Sequence, residues 1–117
     1  MESQAITKNV RMSAQKMREV VRQIQGLSAA QAEAVLAVVP RKGARLVAKT
    51  LHSAIAKAED LKAHKTEYSG FKTDRLIVKE ALAQTASTLK RFTPKARGSA
   101  GPILKRNCHI KIVLSDE

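Results

Sequence analysis

The chain has 117 residues, 44% of them apolar, and a formal net charge of +12 from 22 Lys and Arg against 10 Asp and Glu. That length holds one modest core and not two. The composition excludes a wholly disordered chain, a membrane helix, which needs roughly 18 consecutive apolar residues, and, with Cys108 alone, an internal disulfide or a cysteine-based zinc cluster.

The elements read in chain order. Ile6, Val10 and Met12, with Lys8 between them, suit a short strand. Ser13 can cap a first helix and Gly26 can end it in the left-handed conformation. Between them Met17, Val20, Val21 and Ile24 make one apolar stripe at helical spacing, with Lys16, Arg18 and Arg22 mostly away from it. Ser28-Ala29-Ala30-Gln31 is a capping box opening a second helix, whose apolar face is Ala32, Val35, Leu36 and Val39 and which Pro40 stops. A third helix is expected from about Arg41 to Leu61, burying Val47, Leu51, Ala54, Ile55 and Ala58. Gly43 in its first turns costs roughly 1 kcal/mol of helix propensity against Ala. Lys62–Thr73 is polar, contains Gly70 and reads as a loop. The period then becomes two: Leu76, Val78 and Glu80 alternate with Ile77 and Lys79. Near the end Cys108, Ile110, Ile112 and Leu114 share one strand face, and Asn107, His109, Lys111 and Val113 the other. Helices followed by strands in blocks imply an α+β fold, with helices on one face of an antiparallel sheet.

Between the two long strands lies QTASTLKRFTPKARGSAGPILKRN, Gln84 to Asn107. It carries Lys90, Arg91, Lys95, Arg97, Lys105 and Arg106, and no Asp or Glu occurs between Glu80 and Asp116. It lacks the large apolar residues of a core. Its flanks are strand-like, and Pro94, Gly98, Gly101 and Pro102 can turn the chain near its middle. A hairpin over about 82–106, some nine residues per arm, would project roughly 30 Å at ~3.3 Å per residue. Such a ribbon is marginal alone in water and would hold its shape best when embedded in a polyanion. Charge alone fits a solvated, disordered loop equally well. The bracketing strands and the lack of acid favour an arm that enters a nucleic acid. Tyr68, Phe71 and Phe92 are the only aromatic residues, so phosphate and shape contact suit the chain better than base stacking. Arg11, Ser13, Lys16 and Arg18 form R-x-S-x-x-K-x-R at a strand-to-helix junction. There Ser13 can serve as a cap while the cations and free helix N–H groups meet phosphate.

No catalytic constellation is present. His52, His64 and His109 lack metal spacing, so no metal or cofactor is expected. Cys108 and His109 are adjacent on a strand, so they face opposite ways and cannot easily form a dyad. Glu59-Asp60 and Asp116-Glu117 read as solvated pairs. RKGAR (Arg41–Arg45) is too short for a phosphate loop. Two rival readings are a free-standing architectural nucleic-acid binder and an enzyme using Cys108 or His109; the latter has no paired base to support it.

Four blocks carry a family resemblance: VRMSAQKMREVV (Val10–Val21), GARLVAKTLHSAIAKAE (Gly43–Glu59), LKRFTPKARGSAG (Leu89–Gly101) and ILKRNCHIKIVLSDE (Ile103–Glu117). In this order and spacing the chain resembles the family of protein 22 of the bacterial large ribosomal subunit, over nearly its whole length. The resemblance implies three helices on a three-stranded antiparallel sheet plus a long β-hairpin, all in a single domain over 1–117. It implies a structural, non-enzymatic protein of the cytoplasmic ribosome that binds large-subunit rRNA early in assembly and touches neighbouring ribosomal proteins. It further implies a tip that lines the exit tunnel beside the nascent peptide, near a constriction associated with macrolide sensitivity. No membrane and no small-molecule substrate is implied. Residue by residue, rRNA contact is implied for Lys8, Arg11, Ser13, Lys16, Arg18, Lys90, Arg91, Lys95, Arg97, Gly98, Lys105, Arg106 and His109. Tunnel lining is implied for Leu89, Lys90, Arg91, Phe92, Pro94, Lys95, Ala96 and Arg97. The chain departs from the family pattern at Ser99 and Pro102, where many members carry Arg, which removes two phosphate anchors from the arm.

Overall fold

A computed structural model describes residues 1–116; Glu117, and with it the expected Asp116-Glu117 pair, lies outside them. The strands are β1 (Glu2–Val10), β2 (Ile77–Thr85), β3 (Leu89–Pro94), β4 (Ala100–Lys105) and β5 (Cys108–Ser115), and the helices are α1 (Ala14–Ile24), α2 (Ala29–Val38) and α3 (Lys42–His64). β5 is the central strand of an antiparallel sheet ordered β1-β5-β2, and β3 and β4 form a separate two-stranded sheet. The α+β expectation therefore holds, with all three helices and the hairpin in place.

The helix ends follow their capping chemistry. The Ser13 hydroxyl accepts from the Lys16 N–H at 3.3 Å, and Gly26 after α1 takes φ +81°. Ser28 and Gln31 form the reciprocal capping box of α2. α3 runs three residues beyond the expected end, to His64, because the chain after Leu61 has no helix breaker until Gly70. Gly43 has a packing reason. A Cβ there would lie 3.0 Å from Met17 Sδ and 3.3 Å from Met12, so its absence lets α1 and α3 approach.

The core lies between the helices and one sheet face. Cys108, Ile110, Ile112 and Leu114 of β5 are fully buried against Met17, Val20, Ile24, Val47 and Leu51. β1 differs from its expected form. It begins at Glu2, Met12 lies beyond it, and Ile6 points out, 48% exposed. The residues on its α3 side are instead Ser3, which is buried, Ala5, which is half-buried, and Thr7, which is exposed but bonded to α3. The Ser3 hydroxyl donates to the Ala54 carbonyl at 3.1 Å, and the Thr7 and Thr50 hydroxyls pair at 2.7 Å, so the polar groups turned inward are satisfied by α3. A register shift between Thr7 and Val10, with Asn9 at φ +56°, then brings Val10 into the core. β2 likewise carries a register shift at Lys79, which turns Ala81 and Ala83 inward and lets the strand run to Thr85, five residues past Glu80. Its outer edge is covered. Gly26 and Leu27 exchange backbone bonds with Val78, and Gln25 and Arg18 side chains donate to the Ala81 and Ala83 carbonyls.

The segment expected to be a polar loop contributes Phe71, the largest fully buried side chain, stacked on Tyr68 at 6.1 Å between ring centroids. Two short 3₁₀ turns, Thr66–Tyr68 and Thr73–Arg75, carry it in.

Candidate nucleic-acid interface

The arm continues the β2-β5 pair. Thr85 pairs with Cys108, the Ala86 N–H donates to the Asn107 carbonyl at 3.1 Å, and β3-β4 resumes with Leu89 opposite Lys105. The regular arm is six residues per strand, shorter than the nine expected, because Leu82–Thr85 belong to the main sheet. With it the molecule measures 67 × 28 × 16 Å.

The β3-β4 register sorts the arm into two faces, since cross-strand partners point the same way. Leu89 with Lys105, Arg91 with Ile103, and Thr93 with Gly101 form one face. Lys90 with Leu104, Phe92 with Pro102, and Pro94 with Ala100 form the other. The first holds Arg91 and Lys105, and the aliphatic chain of Lys95 lies over Gly101, where a Cβ would come within 2.6 Å of Lys95 Cε. The second is mainly apolar, and its Phe92 is 76% exposed.

The tip is closed from within. The Lys95 N–H donates to the Ser99 carbonyl at 2.7 Å, and both the Ser99 hydroxyl (2.9 Å) and the Ser99 N–H (3.4 Å) donate to the Ala96 carbonyl. Arg97 and Gly98 turn the chain at φ +61° and +73°. Ser99 thus has a role in the tip's own hydrogen bonding.

At the root of the arm a groove is lined by Arg11, Met12, Ser13, Gln15, Lys16, Lys42, Leu104 and Arg106. Arg11 Nη1 donates to the Arg106 carbonyl at 2.8 Å, and Lys42 Nζ donates to the Arg11 carbonyl at 3.2 Å. β1, α3 and β4-β5 are thereby tied at one point, and four cations collect there without an acid among the lining residues. Lys42 is the member that spacing missed. Its place depends on α3 starting beside the β1-α1 junction, which no local pattern announces. The first-turn N–H groups of α1 add positive potential beside the groove.

The remaining singled-out residues of the globular part lie on β1, α1 and β5. Lys8 is exposed in the β1 bulge. Arg18 stands apart, its Nε on the Ala83 carbonyl at 3.1 Å, so one of its donors is used in the fold. His109 Nδ1 accepts the Asn9 N–H at 3.1 Å, holding the bulge and leaving Nε2 for an outside partner. Cys108 faces the core, opposite His109, and burial pushes its thiol pKa up.

The comparisons with known proteins agree with this architecture. The sequence model of the family described as "Ribosomal protein L22p/L17e" matches residues 5–115. The large ribosomal subunit protein uL22 of Opitutus terrae is 51% identical over 116 residues, covering 99% of this chain and 96% of that one. The protein of the same name from Akkermansia muciniphila is 45% identical over 117 residues, covering 100% and 98%. With a closed helix–sheet core, a basic root and a projecting two-faced arm beside those matches, the chain belongs to the L22p/L17e family of ribosomal proteins.

Proposed function

We propose that this chain binds large-subunit rRNA through two surfaces, the root groove and the cationic face of the arm, and turns the tip to the exit tunnel. As a member of its family it is a structural constituent of the large subunit in the cytoplasmic ribosome, with rRNA and ribosomal proteins as partners, and not an enzyme. One observation carries the finer reading: four cations, Arg11, Lys16, Lys42 and Arg106, collect at the root without an acid among the lining residues, and the arm beyond adds Lys90, Arg91, Lys95, Arg97 and Lys105, with no acid from residue 81 to 115.

The mechanism is neutralisation and shape. Crowded phosphates are held by cations whose counterions leave on binding, so affinity falls steeply with salt. The root groove takes phosphates through Arg11, Lys16, Lys42 and Arg106, with Ser13 holding the helix end that faces them. Lys8, Arg18 and His109 extend this contact along the β1 bulge and α1. Arg91, Lys95 and Lys105, with Lys90 and Arg97, join rRNA segments far apart in sequence, which makes burial of the arm an assembly step. The other arm face, with Phe92, Pro94 and Ala100, offers the nascent peptide an apolar and weakly adhesive wall, with Ala96 and Gly98 at the turn and macrolides binding nearby. The chain acts as one domain with the arm as its appendage. Sedimentation at low magnesium, which parts the subunits, tests the reading. Co-migration with the large subunit through a moderate salt wash is expected. Migration as free protein or with bulk nucleic acid would leave an architectural binder as the better account.

A further inference from the structure

α2, AAQAEAVLAV, is apolar on nearly every side, yet only Ala32 and Leu36 are fully buried. Ala34, Ala37 and Val38 face outward, and Val38, 81% exposed, is the most exposed large apolar residue among those described. A helix apolar all round is ordinarily covered on all sides. The outward face continues into a shallow furrow against α3. Leu36, Ala37, Val39, Pro40 and Ala48 make its floor, and Arg41, Lys42, Arg45, Lys49 and His52 line its α3 side. Arg41 is paired with Glu19 at 3.2 Å, and Glu33, the one acid lining the furrow, stands 3.7 Å from His52. No hydrogen-bonding side chain and no aromatic ring lies in the floor, and the one ring at the rim, His52, is turned to Glu33, so the floor offers nothing to read a base edge or to stack one. The cations along one rim call for carboxylates, and small floor residues let another backbone come close.

We infer that the α2-α3 furrow docks a helix of a neighbouring protein of the large subunit, one with an apolar ridge flanked by Asp or Glu. The inference rests on the subunit reading above, because an apolar face this exposed suits a resident neighbour that keeps it covered and not a passing one. The furrow shares Lys42 with the root groove, so the same end of α3 meets RNA on one side and protein on the other. An amphipathic helix laid in this groove would place anchors at i, i+3, i+4 and i+7 on Ala37 and Val38, and carboxylates toward Arg45 and Lys49.

The test places a photoreactive benzophenone amino acid at position 38, in subunits assembled with the full chain, and identifies the cross-linked partner by mass spectrometry. The expected product joins position 38 to a helical peptide of another large-subunit protein bearing Asp or Glu beside its apolar anchors. That yield should drop at least fivefold in the Arg45→Glu, Lys49→Glu double variant and persist in Arg45→Lys, Lys49→Arg. Cross-linking to rRNA, to a peptide without acidic flanks, or to nothing overturns the inference. Co-sedimentation of each variant with the large subunit is read separately, so loss of docking is not mistaken for failure of the subunit reading.

Discussion

At the scale of single residues, Arg11 does two things at once. It presents a cation to the groove and ties the arm's returning strand through the Arg106 carbonyl at 2.8 Å. Lys16 presents charge at the same groove without that tie. Arg11→Ala is therefore expected to weaken rRNA binding and to raise amide exchange across Ala86–Thr88 and Arg106–Asn107, whereas Lys16→Ala weakens binding alone; equal exchange in the two variants would deny the brace. Ser13→Ala removes the α1 cap and should lower stability by about 1 kcal/mol in urea unfolding. Gly43→Val must push Met17 aside and should cost about 1–3 kcal/mol by the same measurement. Two carboxylates, Glu2 and Asp116, contribute to the acid limb. The Lys79 ammonium holds Glu2 below its usual range, and the Lys72 N–H does the same for Asp116, which also meets the amino terminus at 3.2 Å. Because both folded pKa values are depressed, their stabilisation is present at neutral pH and is lost as pH falls through the carboxylate range. The Asp116→Asn variant should show a smaller loss of Tm between neutral pH and pH 3 than the parent chain does.

At the scale of elements, the patterns that survived are those set by local chemistry. Caps at Ser13 and Ser28, the stop at Pro40 and the buried face of β5 were legible because each rests on neighbours in sequence. What was not legible depends on partners distant in sequence. Ile6 looks like a core residue until a bulge at Lys8-Asn9, braced by His109, shows the alternation broken and Ser3 and Thr7 turned inward onto α3. Phe71 hides in a polar stretch because a single large residue gives no period. It nevertheless anchors that stretch, and Phe71→Ala should cost about 3–5 kcal/mol in thermal or urea unfolding. Of the site, the charge run of the arm was plain, but its sorting into two faces needed the Leu89–Lys105 register, and Lys42 needed the placement of α3. The arm contributes nothing large to the core, so deleting Leu89–Gly101 and closing the gap with a short turn should leave the far-ultraviolet helix signal and the melting temperature of the remainder nearly unchanged. A truncated chain that no longer folds, beside a full chain that does, would contradict this division.

At the scale of the whole molecule, a 28 × 16 Å cross-section drawn out to 67 Å carries cations both at the root, beside the α3 amino terminus, and along the arm as far as Arg97 at its turn. Such a shape gains affinity from many modest phosphate contacts and owes little to any one of them. The logarithm of its rRNA affinity should fall linearly with the logarithm of salt concentration. Each cation removed from the groove should flatten that slope by roughly 0.7–0.9. The most direct test of the central claim uses the exposed tip and the buried thiol together. With Cys108 shielded in the core, Ala96→Cys offers one reactive sulfur, to which a hydroxyl-radical-generating iron chelate is attached before the protein is assembled into large subunits. Strand cleavage confined to large-subunit rRNA segments that line the exit tunnel is the predicted result. Subunits that contain the labelled protein yet show no cleavage there, or only the diffuse pattern given by free chelate, would contradict the placing of the arm in rRNA.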